Sequence, residues 1–293
     1  MLITELSAFP AAPTPGKPWL IALMALLLAL HATACGNDAY RWRDARGQTH
    51  YSDRPGADRV MVKTTPPASG AATTVQVAKV YDGDTITLED GEKVRLLGIN
   101  TPEIQGRHKT GEAGGEQARA WLKRTIAGRR VRIEQDVVTR DRYQRLLAHL
   151  FAEEGIHINL ALVEAGLATT DIHPPNVKYV DTLVAAERRA EQENRGLWAL
   201  PEYQPKPVEL VKDRRLRGWQ RLFGKPYAVQ EGRGYWRLLF NDRLEVRIPK
   251  DSLSVFPPLQ SYLHQVIEVR GWASRRGDGH AILVRHPSAL IRR

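Results

Sequence analysis

The chain lacks the means to staple itself. A single cysteine, Cys35, stands among 293 residues, which excludes any intramolecular disulfide. It also lacks a membrane-spanning run near its start: the apolar stretch from Trp19 to Leu30 is too short to cross a bilayer and has the length of a signal-peptide core. Acids are in deficit, with 33 Asp and Glu against 43 Lys and Arg and a formal net charge of +10. That excess points to an anionic partner, nucleic acid or an acidic membrane surface. With 42% apolar residues, a chain of this length can bury one or two cores and suggests two domains.

What is present is concentrated between Val80 and Glu103. Tyr81 to Leu88 and Lys93 to Ile99 alternate with β-branched residues, and Asp90-Gly91 between them is a hairpin signal. The stretch gathers candidate acids (Asp82, Asp84, Glu103), an amide oxygen donor (Asn100) and an arginine (Arg95). Carboxylates beside an arginine suit phosphodiester hydrolysis, because a hard cation and a guanidinium can share the charge of the transferring phosphoryl group. On a straight strand, Arg95 and Asn100 would face opposite ways about 16 Å apart. They can serve one site only if the chain bends between them, and Gly98 is placed for that bend.

Four segments, in this order and spacing, resemble the staphylococcal nuclease family: Tyr81 to Thr85, Val94 to Glu103, Asp141 to Ala148 and Asn159 to Ala168. The resemblance runs from about Val75 to Trp198. It implies that Asp84, Asn100 and the carbonyl of Thr101 bind Ca²⁺ or another divalent cation, with Asp82 close behind them. Glu103 would orient or deprotonate the attacking water, and Arg95 and Arg145 would clamp the phosphate. Tyr143 would contact the nucleotide, with Arg142 beside it and Lys109 in a glycine-rich loop next to the site as further substrate-binding residues. Three departures stand out. Asn100 replaces an aspartate and so removes a ligand charge. Gln144 replaces the usual glycine. The tyrosines that follow Gly-Leu-Ala in the staphylococcal enzyme are absent, and His173, in Asp171-Ile-His173-Pro-Pro, is placed to take over a substrate contact.

The fold expected is mainly β with α (α+β): a five-stranded Greek-key barrel of OB type with helices over residues 75–200, then a second small OB-like barrel over 222–293. Helices are expected at Glu116 to Ile126, Ile158 to Ala165 and Tyr179 to Gln192. Residues 1–35 read as an export signal. Ala32-Thr33-Ala34 supplies a small-residue cleavage site, and Cys35 has two readings, a lipidated cysteine that anchors the chain to a membrane or an unused thiol. Residues 36–63 describe a small hairpin unit, similar to a short domain of unknown function found at the start of bacterial envelope proteins, with Trp42 and Tyr51 packing across its strands. Residues 64–74 read as a flexible linker and 201–221 as a basic one. In the last domain Arg233, Tyr235, Trp236, Arg237, Trp272, Arg275 and Arg276 interleave aromatics with cations. That is either a single-strand platform or a core with arginines facing water.

The function expected is an exported metal-dependent nuclease acting on DNA, RNA or both with little sequence preference, located in the periplasm, on the outer membrane as a lipoprotein, or secreted. No obligate protein partner is evident. The alternatives are a catalytically silent envelope module that binds nucleic acid and a structural envelope protein.

Overall fold

The computed structural model describes residues 74–106, 110–211, 216 and 218–293, together with the backbone of 39–43, 49–52 and 60–62. The expected export signal, Cys35 and Lys109 lie outside the described residues. Strands β1 (Ala39–Arg43), β2 (Thr49–Ser52) and β3 (Val60–Val62) form an antiparallel sheet in the order β2-β1-β3. Its register sets Trp42 opposite His50 and Tyr51 opposite Arg41. Trp42 and Tyr51 are therefore not paired in this register.

A closed barrel follows. Its strands are β4 (Thr74–Val80), β5 (Thr85–Leu88), β6 (Lys93–Leu96), then, after the short β7 (Ile99–Asn100) and helix α1 (Gly115–Ile126), β8 (Arg130–Glu134) and β9 (Leu146–Ala152). They close in the order β4-β5-β6-β9-β8, with β6 and β9 parallel and the other pairs antiparallel. This is an OB-type barrel. Alternate residues fill it, including Ile86, Val94, Val131 and Leu150, all fully buried. Helix α1 lays Ala118, Leu122 and Ile126 on the barrel, and α2 (Ile158–Glu164) and α3 (Val180–Gln192) add Leu162 and Leu183. Glu116 in the first turn of α1 and Lys123 and Arg124 in its last turn complement the helix dipole.

The barrel also buries a polar pair. His149 on β9 is 1% exposed, and its Nδ1 lies 3.1 Å from His157 Nε2. Both rings pack on Tyr179. Burial, with the neighbouring His157 adding to it, pulls His149 down to about 3. Burial likewise pulls His157 down to about 4.

The C-terminal region forms a second sheet. After β10 (Thr169–Thr170), which pairs with β7, come β11 (Lys206–Pro207), β12 (Gly218–Gly224), β13 (Ala228–Glu231), β14 (Tyr235–Asn241), β15 (Leu244–Pro249), β16 (Ile267–Arg276), β17 (Gly279–Leu283) and β18 (Leu290–Arg292). The order is β11-β12-β16-β17-β15-β14-β13, with β15 and β17 parallel and β18 paired with β16. From β14 through β15 and β17 to β16, this repeats the antiparallel and parallel steps of the first barrel, so the sheet is OB-like in order.

The basic linker expected over 201–221 is corrected by this sheet. Tyr203, Val208 and Val211 are buried, and Gly218 to Arg221 belong to β12. Arg221 is 4% exposed because acids await it. Its Nε donates to Glu268 Oε1 at 2.7 Å, and Nη2 pairs with Glu191 of α3. Arg270 on β16 donates through Nε to Glu268 at 2.7 Å and reaches Glu187 and Glu191 of α3 at 3.2 and 2.5 Å. Both guanidinium groups lie 5.2 Å from the Trp198 ring centre. Burial opposes charge on Glu268, yet Arg221 and Arg270 outweigh it and hold the carboxyl near about 2. The partners of Arg221 lie 30 to 47 residues away in sequence, so no local pattern marks this charge as buried.

Two outcomes follow. Replacing Arg270 by alanine leaves Glu187 buried without its arginine and takes one of its arginines from Glu268, and should cost roughly 3–5 kcal/mol in urea denaturation. The depressed His149 and His157 mean that the unfolded chain binds more protons below its ordinary histidine range. Stability should therefore be lost as pH falls from about 6.5 towards 4, and His149→Phe should flatten that slope in a pH series of denaturation curves.

Candidate active site

The β5-β6 hairpin and the segment after it surround a cavity of about 350 Å³. Registers explain one wall. Thr85 lies opposite Arg95 and Thr87 opposite Lys93, so these four side chains share one face, and all four line the cavity. Asp82, Asp84, Asn100, Thr101, Glu103 and Arg145 line it as well.

The bend required between Arg95 and Asn100 is present. Gly98 has φ +74, a conformation that costs glycine little. The turned chain brings Arg95 Nη1 within 2.9 Å of the Leu96 carbonyl and 2.8 Å of the Ile99 carbonyl, while Nη2 donates to Asn100 Oδ1 at 3.2 Å. Nη1 also lies 3.1 Å from Asp84 Oδ2. In this structure Arg95 therefore spans the gap between Asp84 and Asn100 and points into the oxygen cluster.

Asp84 is 5% exposed and heavily bonded. Its Oδ2 accepts from the Thr101 N–H at 2.8 Å and the Thr101 hydroxyl at 3.1 Å, and its Oδ1 from the Thr85 hydroxyl at 3.2 Å. Asp82 Oδ1 accepts from the Asp84 N–H at 3.1 Å. Burial first, and then the charge of Asp84, push the Asp82 carboxyl up to about 6. Two carboxylates held this close repel one another, which is the environment a cation relieves.

Glu103 closes another side. Its N–H donates to Glu112 Oε2 at 3.0 Å, and its carbonyl accepts from the Glu112 N–H at 2.8 Å. Across the cavity, Arg145 donates through Nε to Asp141 Oδ2 at 2.7 Å, and its N–H donates to Asp141 Oδ1 at 2.9 Å. The turn before it puts Gln144 at φ 65, the left-handed region where glycine is favoured. Arg140 holds that turn, donating to the Gln144 carbonyl at 2.8 Å and to Glu92 at 2.7 and 3.0 Å.

Not every candidate reaches the cavity wall. Tyr143 is exposed on the rim, its ring centre 5.7 Å from the Arg145 guanidinium, and Arg142 donates to its hydroxyl at 2.6 Å. His173 is tied to Asp171 at 2.9 Å and does not line this cavity. Tyr81, Lys93, Thr85 and Thr87 line it without having been singled out from the sequence. Lys93 was legible in principle, being two residues before Arg95 on one strand and so on the same face.

Comparison with known proteins accords with this geometry. Residues 93–200 match the staphylococcal nuclease homologue family. Over 125 residues the chain is 34% identical to a thermonuclease of Staphylococcus intermedius, an alignment that covers 42% of this chain and 74% of that protein. The chain belongs to the staphylococcal nuclease homologue family. Endonuclease YncB of Bacillus subtilis is 28% identical over 207 residues, covering 64% of this chain and 94% of that protein. An uncharacterized endonuclease of Escherichia coli is 32% identical over 127 residues, covering 42% and 76%. Residues 25–79 match a domain of unknown function, DUF4124.

Within this staphylococcal nuclease homologue, the donors suit a hard divalent cation: the carboxylates of Asp82 and Asp84, the Asn100 amide oxygen and the Thr101 carbonyl. Among the described residues no group of three His, Cys, Asp or Glu could hold a metal. A cation here would draw on the neutral oxygens and displace Arg95 from between Asp84 and Asn100.

Close packing behind Asp84 gives a test. A Cβ on Gly83 would lie 2.7 Å from Ala118 Cβ and 2.7 Å from Thr101 Oγ1. Gly83→Ala should cost about 1–3 kcal/mol in denaturant unfolding by prising Thr101 from Asp84.

Proposed function

We propose that the protein is an exported, divalent-metal-dependent nuclease that hydrolyses phosphodiester bonds of DNA, RNA or both with little sequence preference. The observation that carries this reading is the meeting of Asp84, Glu103, Arg95 and Arg145 on one cavity, although they span 61 residues of sequence. The names of the relatives, thermonuclease and endonuclease, support the nuclease class. The Trp19 to Leu30 run and the small residues before Cys35 support export.

Asp84, Asn100 and the Thr101 carbonyl, with Asp82 behind them, would hold Ca²⁺ or a similar hard cation. Such an ion supplies charge that stabilises the phosphoryl oxygens as the bond is exchanged. The chain does the rest. Arg145, held from behind by Asp141 through Nε, keeps its terminal nitrogens to donate to a phosphate oxygen. Arg95, once released from Asp84, adds a second guanidinium. The Glu103 carboxylate accepts a hydrogen bond from water and aims its oxygen at phosphorus, opposite the 5′ oxygen that leaves. As the resemblance to the family implies, a P–O bond to water forms as the P–O5′ bond breaks, one proton of that water passing to Glu103 and the departing 5′ oxygen taking one from solvent, and the 3′ side keeps the phosphate. Asn100 contributes no charge, so the site is built for weaker cation binding than an aspartate would give.

One observation favours a second reading, a module that binds nucleic acid without cutting it: Arg95 already neutralises Asp84. Plasmid and single-stranded DNA incubated with Ca²⁺, Mg²⁺, Mn²⁺ or EDTA separate the two. Cleavage that needs a metal, and that falls about 10²–10⁴-fold in kcat/KM in both Glu103→Gln and Arg145→Ala, is the expected result. Salt-sensitive binding without cleavage in any metal would leave only the binding module.

A further inference from the structure

A second cavity, of about 470 Å³, lies where Pro174 of the first half meets the C-terminal sheet. Its walls include Tyr235 at the start of β14, Lys250 just after β15 and Arg285 just after β17. Tyr235 is 40% exposed, and the Arg247 guanidinium lies 5.8 Å from its ring centre. Gly234 beside it has open space where a side chain would stand. Asp251 is the acid in this wall; its Oδ1 accepts from the Ser252 hydroxyl at 3.1 Å. Lys250 Nζ is paired with Glu231 at 2.5 Å, which leaves Arg285 as the principal cation of the cleft.

A short piece of chain joins the two cavities. Thr169 pairs with Asn100, a wall residue of the first, and the Asp171 N–H donates to the Gly98 carbonyl at 3.0 Å. His173, half exposed, bonds Asp171, and Pro174 then lines the second cavity. From Thr169 to Pro174 the chain can extend at most roughly 18 Å. The Asp171 carboxyl registers both ends. Desolvation opposes its charge, but His173, Arg95 and Arg285 together hold it below the ordinary range.

We propose that this second cavity is a subsite for single-stranded nucleic acid, which takes the strand beyond the reacting phosphate past His173, with Tyr235 stacking on a base and Arg285 receiving a phosphate. The proposal rests on the nuclease reading for its substrate. An exposed aromatic with an arginine lining the same cavity is the chemistry that holds a single strand without regard to sequence. A few nucleotides cover that reach, and the two cavities share no lining residue, so the subsite serves strands long enough to occupy both. Its separation from Glu103 and Arg145 makes it a contributor to affinity and not to the chemical step.

The test compares a dinucleotide with a single-stranded oligonucleotide of about 12 nucleotides. In the metal-supplemented full chain, Tyr235→Ala and Arg285→Ala should each raise KM for the longer strand roughly 5-fold or more, leave its kcat unchanged, and leave dinucleotide kcat/KM unchanged. Tyr235→Phe should behave as wild type, since the stacking face is kept. Unchanged KM for the longer strand, or equal effects on both lengths, overturns the subsite. Fluorescence anisotropy of the labelled longer strand gives an independent reading. If wild type cuts neither substrate, the nuclease reading falls, while weaker binding by Tyr235→Ala and Arg285→Ala still sustains the subsite and unaltered binding removes it.

Discussion

The carboxylate of Asp84 joins parts of the chain that would otherwise have no reason to meet. One oxygen takes both donors of Thr101 and faces Arg95, and the other takes the Thr85 hydroxyl. The Asp84 carbonyl meanwhile accepts from the Leu96 N–H at 2.9 Å. The hairpin, the strand end after Gly98 and the segment leading to Glu103 are thereby fixed to one buried group. A buried carboxylate tolerates its surroundings only when it is fully bonded, so the geometry of the cavity wall and the solvation of Asp84 are the same requirement.

Arg95 completes that arrangement from the other side. Its guanidinium fills the inside of the Gly98 turn by donating to two main-chain carbonyls, and it reaches Asp84 and Asn100 with what remains. The same side chain thus stabilises the bend and neutralises the oxygens around which the site is built. An aspartate in place of Asn100 would tighten Arg95 further into this position, and the amide loosens it. Were a cation to bind here, an amide at Asn100 would ease the departure of Arg95 and weaken the hold on the ion together.

Much of this was legible in the residues. Alternation with β-branched side chains marked β5 and β6, Asp90-Gly91 marked their turn, and the odd spacing of Arg95 and Asn100 required the bend found at Gly98. Spacing put Ala118, Trp121, Leu122 and Ile126 on one face of α1, and of these Ala118, Leu122 and Ile126 are buried. What escaped depends on distant partners. Arg221 ends what reads as a basic linker, because nothing local announces Glu191 and Glu268. Strand β12 was missed with it, since a charged residue at a buried position breaks the apolar alternation that identifies strands. Lys93, Thr85 and Thr87 share the cavity wall through strand register, which sequence spacing shows within one strand and hides across two.

The buried acids of α3 carry the C-terminal sheet into the first barrel. Glu187 accepts from the Thr170 N–H at 2.6 Å and the Thr170 hydroxyl at 3.0 Å, while Arg270 holds its other side at 3.2 Å. Burial pushes the Glu187 carboxyl above its usual range even so, with Arg270 opposing. Thr169, next in line, pairs with Asn100. A fragment cut after Trp198 would keep every residue that lines the first cavity and yet leave Glu187 beside the backbone that sets Asn100, with no counter-ion from the sheet. Glu187 thus ties the barrel that carries the cavity to the sheet that follows it in the chain.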